Sequence, residues 1–491
     1  MNDARKLTGS VLAAALLLNG CAVGPNFKEP AAPQVSRYTE QPLTNTVGTT
    51  NVSGGEPQQF VNGGDIPGQW WTLFHSKPLN DLIELSLSNN PTLKGAQAAL
   101  NAAHENLLAQ RGSYFPSISG SFSAARQKTS AELAPIPNST ATYFSLFTPQ
   151  VSVSYVPDVF GLNRRTMESM KAQEEQARFA LAATHITLSA NVVAAAIQEA
   201  SLRAQIDSTR HLVAINSNML QTVQVQYEKG YASRLDVATQ ESQLAQVAAT
   251  LPPLLKQLAQ QHDLLTTLAG RFPSESLDEP FDLGTLRLPQ MLPVSLPSQL
   301  VEQRPDVRQA EQNLHAASAE IGIAVANRLP NITLTADAGA MALQASRMFA
   351  DGSGFWTLAG SVTQPIFQGG TLLHRERAAR AAFTQSAEQY RATVLTAFQN
   401  VADTLNALQQ DATALQTAAT ARDAAQTTLD LAKKQFQAGY AGYLGLLGAE
   451  QSYQQAALNV VQAEANRFSD TAALFQALGG GWWHRAELGE N

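Results

Sequence analysis

A single thiol, eight imidazoles and a few charged side chains at a repeated turn are the residues with which this 491-residue chain could do chemistry. Cys21 is the only cysteine, so no internal disulfide is available and its use must lie in modification or packing. It follows a basic start at Arg5 and Lys6, an apolar stretch from Leu7 to Leu18, and the run "LNGC". The histidines are scattered, with no H-E-x-x-H or comparable spacing, which predicts no metal site. No G-x-S-x-G elbow and no G-x-x-x-x-G-K-[ST] loop occurs, so neither a serine nucleophile nor a nucleotide cofactor is expected, and the chain does not read as an enzyme. The charged pair that remains is Arg234 and Asp236, in "QYEKGYASRLDVATQES" from Gln226. A near copy, "QFQAGYAGYLGLLGAEQS" from Gln435, carries Tyr443 and Gly445 at the matching places.

The N-terminal pattern reads as an export signal over residues 1–20. Its end resembles the lipobox of bacterial lipoproteins, in which the signal is cut before the cysteine and the new N-terminus is acylated. That resemblance makes Cys21 the expected lipid anchor, and Ala22, in place of a retention aspartate, favours delivery to the outer membrane. Acyl chains add about 0.8 kcal/mol per buried methylene, so several of them hold a protein durably to its bilayer.

Composition narrows the partners. Charged residues make up 15% and apolar residues 44%, and the net charge is −7. Such a balance leaves no basic stripe to displace counterions from a phosphate backbone, so no nucleic-acid partner is expected. No run of 18 apolar residues lies beyond the N-terminus, and a helical membrane span is not expected.

Positioning of these residues falls to a duplicated plan of roughly 210 residues per copy. "NPTLKGAQAALNAA" from Asn90 mirrors "RPDVRQAEQNLHAA" from Arg304, each with a proline at a helix start. "YFPSIS" at Tyr114 mirrors "RLPNIT" at Arg328. Ile118, Gly120, Phe122 and Ala124 alternate with serines, as do Val151, Val153 and Tyr155. Ile332, Leu334, Ala336 and Ala338 alternate with Thr333, Thr335 and Asp337, and Trp356, Leu358 and Val362 with Thr357, Ser361 and Thr363. This period of two predicts four strands, as suit a membrane barrel with a wet lumen or, locally, a soluble sandwich. Arg164–Lys229 and Thr371–Ala438 contain neither glycine nor proline, which predicts two unbroken helices of about 100 Å. Phe179, Ile186 and Val193, and Phe398, Val401, Leu405, Leu408 and Leu415, supply thin coiled-coil seams. Gly230 and Gly439 are placed to take the left-handed cap where each helix turns back.

The expected organisation is therefore a signal (1–20), an N-terminal coil (21–70), a first repeat (71–270), a connector (271–300), a second repeat (301–478) and a tail (479–491). Four strands cannot close a barrel, and an open sheet edge in hydrocarbon leaves backbone groups unpaired. The chain must then oligomerise, as two, three or four copies.

These landmarks resemble the outer membrane factors of tripartite efflux systems, the TolC-like channels, in their lipoprotein, NodT-like branch. The carrying residues are "CAVGPNFKEP" at Cys21, "WWTLF" at Trp70, "NPTL" at Asn90, "EQRPDVRQAE" at Glu302, "RLPNITL" at Arg328, "QPIFQGG" at Gln364 and "ALGGGWW" at Ala477. The resemblance implies a mainly α fold with a membrane β-barrel: a homotrimer whose twelve strands close one outer-membrane barrel, continued by a twelve-helix periplasmic α-barrel and an equatorial belt. It implies a passive exit duct for drugs or small toxic compounds, partnered by a periplasmic adaptor and an inner-membrane pump. A type I protein secretion channel shares the fold, and a trimeric scaffold or adhesin is the reading from another class.

The resemblance also places a periplasmic gate at the two turns. Asp236 matches a gate aspartate, whereas Ala441, Gly445 and Gly448 stand where the family carries Arg and two Asp. The expected tip residues are Tyr231, Arg234, Asp236, Tyr440, Tyr443, Leu444 and Leu447, with Gly230 and Gly439 at the adaptor-docking turns. With the charged latch incomplete, closure is expected to depend on Tyr440, Tyr443, Leu444 and Leu447.

Overall fold

The computed structural model describes residues 22–41, 43, 45–130, 143–275, 281–485 and 488. Short 3-10 turns aside, its elements run β1 (Gln59–Asn62), α1 (Lys77–Asn89), α2 (Pro91–Arg111), β2 (Ser117–Lys128), β3 (Tyr143–Tyr155), α3 (Leu162–Glu228), α4 (Arg234–Ala249) and α5 (Leu251–Leu268). They continue with β4 (Met291–Val294), α6 (Pro297–Gln303), α7 (Pro305–Ala326), β5 (Asn331–Ala340), β6 (Gly354–Thr363), α8 (Thr371–Gln437) and α9 (Tyr443–Ala477). The expected proline starts open α2 and α7, and the two glycine-free tracts form helices of 67 residues each. The Pro252-Pro253 pair falls in the first turn of α5, where the missing amide hydrogens cost nothing, and the return path breaks at Thr250.

Two compact units result, each drawing on both sequence repeats. One comprises the N-terminal stretch to Pro30, Leu100–Gln176 and Ala310–Tyr390; the other comprises Ala31–Ala99, Ala177–Gln309 and the chain from Arg391 onward. The first unit carries a four-stranded antiparallel sheet in the order β2-β3-β5-β6, so the hairpins of the two repeats join through β3 and β5. In the second unit β1 and β4 pair in parallel.

The seams are real and unequal. On α8 the buried positions are Val394, Ala397, Val401, Leu405, Leu408, Ala412, Leu415 and Ala419, a 3–4 spacing that follows one stripe of the helix. Leu395 and Leu431 on its other flanks are exposed. On α3 the stripe through Phe179, Ala182, Ile186, Val193 and Ala196 is joined by Leu181, Leu188, Val192 and Ala195, so this helix is buried over a wider arc. A stretch of α3 is apolar and long enough to cross a membrane, but 67% of it is buried within the protein, as a core helix is.

Three of the four paired tryptophans, Trp70, Trp71 and Trp482, are buried, while Trp483 is half-buried. Trp70 and Trp71 are fully buried; Trp70 stacks on Phe475 at 5.3 Å, and Phe74 packs against Phe468. Trp482 lies edge-on to Phe179 at 5.6 Å and donates its indole N–H to the Gln303 carbonyl.

Candidate functional site

Strand register decides what the sheet can do. Ile118, Gly120, Phe122 and Ala124 of β2 lie opposite Val153, Val151, Pro149 and Phe147 of β3. Val151, Val153 and Tyr155 in turn face Ala338, Ala336 and Leu334 of β5, which face Trp356, Leu358 and Gly360 of β6. Because cross-strand partners point to the same side of a sheet, this face is apolar across all four strands as far as Ala124 on β2, beyond which Arg126 and Lys128 stand on it. Ile118, Phe122, Val151, Trp356, Leu358 and Val362 on that face are exposed. The opposite face carries Ser117, Ser119, Ser121 and Ser123, then Thr148, Gln150, Ser152 and Ser154, then Thr333, Thr335 and Asp337, then Thr357, Ser361 and Thr363. An uncovered apolar face of this extent belongs against lipid, and the hydroxyl-lined face against water. β2 and β6 are the outer strands of the sheet, each paired on one side.

Below the sheet in sequence, but within the same unit, the N-terminal stretch is tied to the start of α3. The Val23 amide donates to the Phe160 carbonyl at 3.2 Å. The Arg165 guanidinium donates to the Val23 carbonyl at 3.0 Å and to Asn26 Oδ1 at 2.8 Å, and Phe27 stacks on His315 at 4.2 Å. Cys21, the expected lipid anchor, lies outside the described residues.

In the second unit the two turns share one backbone. Gly230 and Gly439 have φ of 77° and 76°, the left-handed conformation that other residues adopt only at a cost. Tyr231 N donates to Gln226 O at 2.8 Å, and Tyr440 N donates to Gln435 O at 2.9 Å, the six-to-one bond of a Schellman cap in both copies. Nothing lies within 4 Å of a Cβ built on either glycine, so both turns are open to solvent.

The turns differ one step later. Ser233 caps α4: its Oγ accepts from the Asp236 amide at 3.2 Å, while Asp236 Oδ2 accepts from the Ser233 amide at 2.8 Å and its hydroxyl at 2.7 Å. This is a capping box. These bonds, side chain first, hold the Asp236 carboxyl below its ordinary range. Arg234, exposed beside it, makes no ion pair with it. In the second copy the cap position is Gly442, with no side-chain bond, and Gly445 takes the place of the aspartate.

The expected tip residues divide by burial. Tyr231 and Tyr440 are 83% and 88% exposed, and Leu235 and Leu444 project beside them. Tyr443 instead turns inward against Phe436, ring centres 6.3 Å apart. Its hydroxyl is pushed up to about 12 by burial, then by the negative charges of Glu450 and Asp236. Leu447 is buried, and its neighbour Leu446 packs with Leu429, Ala449 and Phe436. Within one chain, then, Tyr440 and Leu444 stand free of the two pairs expected to crowd an aperture. Gln451 donates to Gln243 at 2.9 Å, joining the two return helices. Residues that sequence reasoning passed over are Ser233, legible as the S-x-x-D of a capping box, and Arg165, whose partners lie far away along the chain.

Among the described residues no group of three potential metal ligands forms. The arrangement offers an apolar wall, a hydroxylated wall and two solvent-exposed helical tips, which suit conduction.

Comparison with known proteins agrees. The chain is 28% identical to the toluene efflux pump outer membrane protein TtgC of Pseudomonas putida over 97% of its length and 96% of that protein. It is 31% identical to the toluene efflux pump outer membrane protein TtgF of the same species, over 96% of each. Its fold superimposes on the solved outer-membrane channel OprN with a TM-score of 0.83 at 25% identity, over 94% of this chain and all of that one. The profile of the outer membrane efflux proteins matches residues 82–271 and 296–480, one segment in each repeat. The chain belongs to the outer membrane efflux protein family, with the TolC-like channel fold.

Proposed function

We propose that three copies of this chain close one passive duct through the outer membrane, fed by an inner-membrane pump through a periplasmic adaptor. The observation that carries this reading is the sheet with one apolar and one hydroxylated face and two outer strands, β2 and β6. Four strands cannot enclose a lumen, whereas the β6 edge of one copy can pair with the β2 edge of the next. Three copies would give twelve strands. The exposed flanks of α8 leave that helix free to pack against a neighbouring copy as it packs within its own.

The duct supplies no energy of its own, and transport depends on the pump it meets. Cargo of small apolar compounds fits the relatives named for toluene efflux. Cys21 carries the acyl anchor, and the bonds from Phe160 and Arg165 to Val23 hold the residues just after it beside α3. The tips at Gly230 and Gly439 form the periplasmic end, where the adaptor docks. Tyr440 and Leu444 narrow the opening, with Tyr231 and Leu235 of the first tip, while Tyr443 and Leu447 brace the second turn from inside. Arg234 and Asp236 contribute less, because the carboxylate is already committed to the cap of α4.

Native mass spectrometry of the full-length protein released from outer membranes tests the assembly. Three chains, each heavier than the polypeptide starting at Cys21 by its acyl groups, are expected. A monomer, or a dimer without lipid, contradicts the proposal.

A further inference from the structure

Where β3 ends and β5 begins, the two repeats meet in the sheet of the first unit. The turn after β3 carries Pro157, the apolar pair Val159 and Phe160, and Gly161 with φ of 82°. Leu329 and Pro330 lead into β5. Val159, Phe160, Leu329 and Pro330 line one groove, and all four are half-buried there.

The same parts recur at the outer edges of the sheet, where no strand lies beside them. The turn after β6, one residue longer, carries Pro365, the apolar pair Ile366 and Phe367, and Gly370 with φ of 84°. Phe115 and Pro116 lead into β2. Ile366 is 95% exposed, Phe367 86% and Phe115 70%. The duplication therefore supplies a contrast within one chain: the pairs at the repeat seam are covered, and their counterparts at the edges are bare.

The bare turn is held rather than loose. Gln364 Nε2 donates to the Arg328 carbonyl at 3.0 Å, Arg328 pairs with Glu376 of α8, and Arg380 donates to Glu376 at 2.9 Å. Charged side chains this close belong in water or at a head-group boundary, not in hydrocarbon. Apolar side chains at that level gain from cover by protein.

We infer that Ile366 and Phe367 of one copy pack against Phe115 and Pro116 of a second copy of this chain, closing the base of the strand joint. This contact rests on the assembly proposed above, in which β6 pairs with β2 of the next copy. The sheet is antiparallel throughout in the order β2-β3-β5-β6, so β2 and β5 run one way and β3 and β6 the other. β6 then meets a neighbouring β2 as β3 meets β5, with the end of one strand beside the start of the other. The repeat seam is thus the template for the chain seam.

Placing the photoreactive analogue p-benzoylphenylalanine at position 367 of the full-length protein, then irradiating intact outer membranes, tests the contact. Denaturing gels should lose the single-chain band to bands of two and three chains. The linked peptide of the second chain should contain Phe115 and Pro116. The analogue at position 366 serves if the first variant fails to assemble. Adducts to lipid alone, links within one chain only, or links to another region of the second chain overturn the contact. Native mass spectrometry of the same samples separates the two failures: three chains leave the duct reading standing, whereas single chains sink that reading and this contact together.

Discussion

Ser233 and Asp236 close reciprocal hydrogen bonds across the first turn of α4, Oγ to amide at 3.2 Å and carboxylate to amide at 2.8 Å. At the matching places of the second repeat both residues are glycine, and α9 follows its cap residue Gly442 without a side-chain cap bond. The difference between the two tips is therefore one of helix-end stability before it is one of charge. The first end is fastened, and the second is free to fray.

Transplanting the cap should transfer that stability. Gly442 has φ of −73°, acceptable to any residue, and nothing lies within 4 Å of a Cβ at Gly442 or Gly445. Gly442→Ser with Gly445→Asp should stabilise the start of α9 by about 1 kcal/mol. Amide exchange over the first turn of α9 should slow about fivefold, with no change at α4. Unchanged exchange would mean that another contact already fixes the second end.

Conductance should separate the charged residues from the aromatic ones. Because Asp236 is occupied by Ser233, Asp236→Ala should alter single-channel conductance less than Tyr440→Ala, which removes an exposed ring from the second tip. If the aspartate change alone opened the pore widely, closure by Tyr440 and Leu444 would be wrong.

Acid should undo the first cap. The Asp236 carboxyl is held below 3.8, so its contribution is complete above that value and is lost as the pH falls through its lower, folded value. In denaturation series the stability difference between wild type and Asp236→Asn should be constant at neutral pH and shrink below about pH 4. A difference independent of pH would show that the ionised form carries no part of the cap.

The buried tryptophan pair should be structural. Trp70 is fully buried and stacked on Phe475, and Trp70→Ala should cost about 3–5 kcal/mol. Urea denaturation followed by circular dichroism measures this. Near-wild-type stability would contradict a packing role for this ring.

Local patterns in the sequence anticipated much of this fold, and contacts distant along the chain supplied the rest. A period of two separates Ile118 and Phe122 from their serines wherever the partner strand lies, so the two-faced sheet could be read before its register was known. The long helices followed from the absence of glycine and proline, and the left-handed turns from Gly230 and Gly439. Burial at the tips was not legible in the same way. Tyr440 and Tyr443 look alike in sequence, yet only the packing of Phe436 against α9 shows that one faces solvent and the other the helix. The resemblance marks Asp236 as a gate charge, and the serine three places earlier marks it also as half of a capping box. The bonds from buried Arg467 to Thr46 and the Glu56 carbonyl gave no sequence signal, because those partners belong to the opposite end of the chain.

Reconstitution of the purified, full-length protein into planar bilayers tests the central claim that this chain is an outer membrane duct. The two-faced sheet and exposed tips predict stepwise ion conductance, low at rest and raised in Tyr440→Ala. Complete absence of conductance in the wild type and in that variant, under every voltage and pH applied, would contradict it.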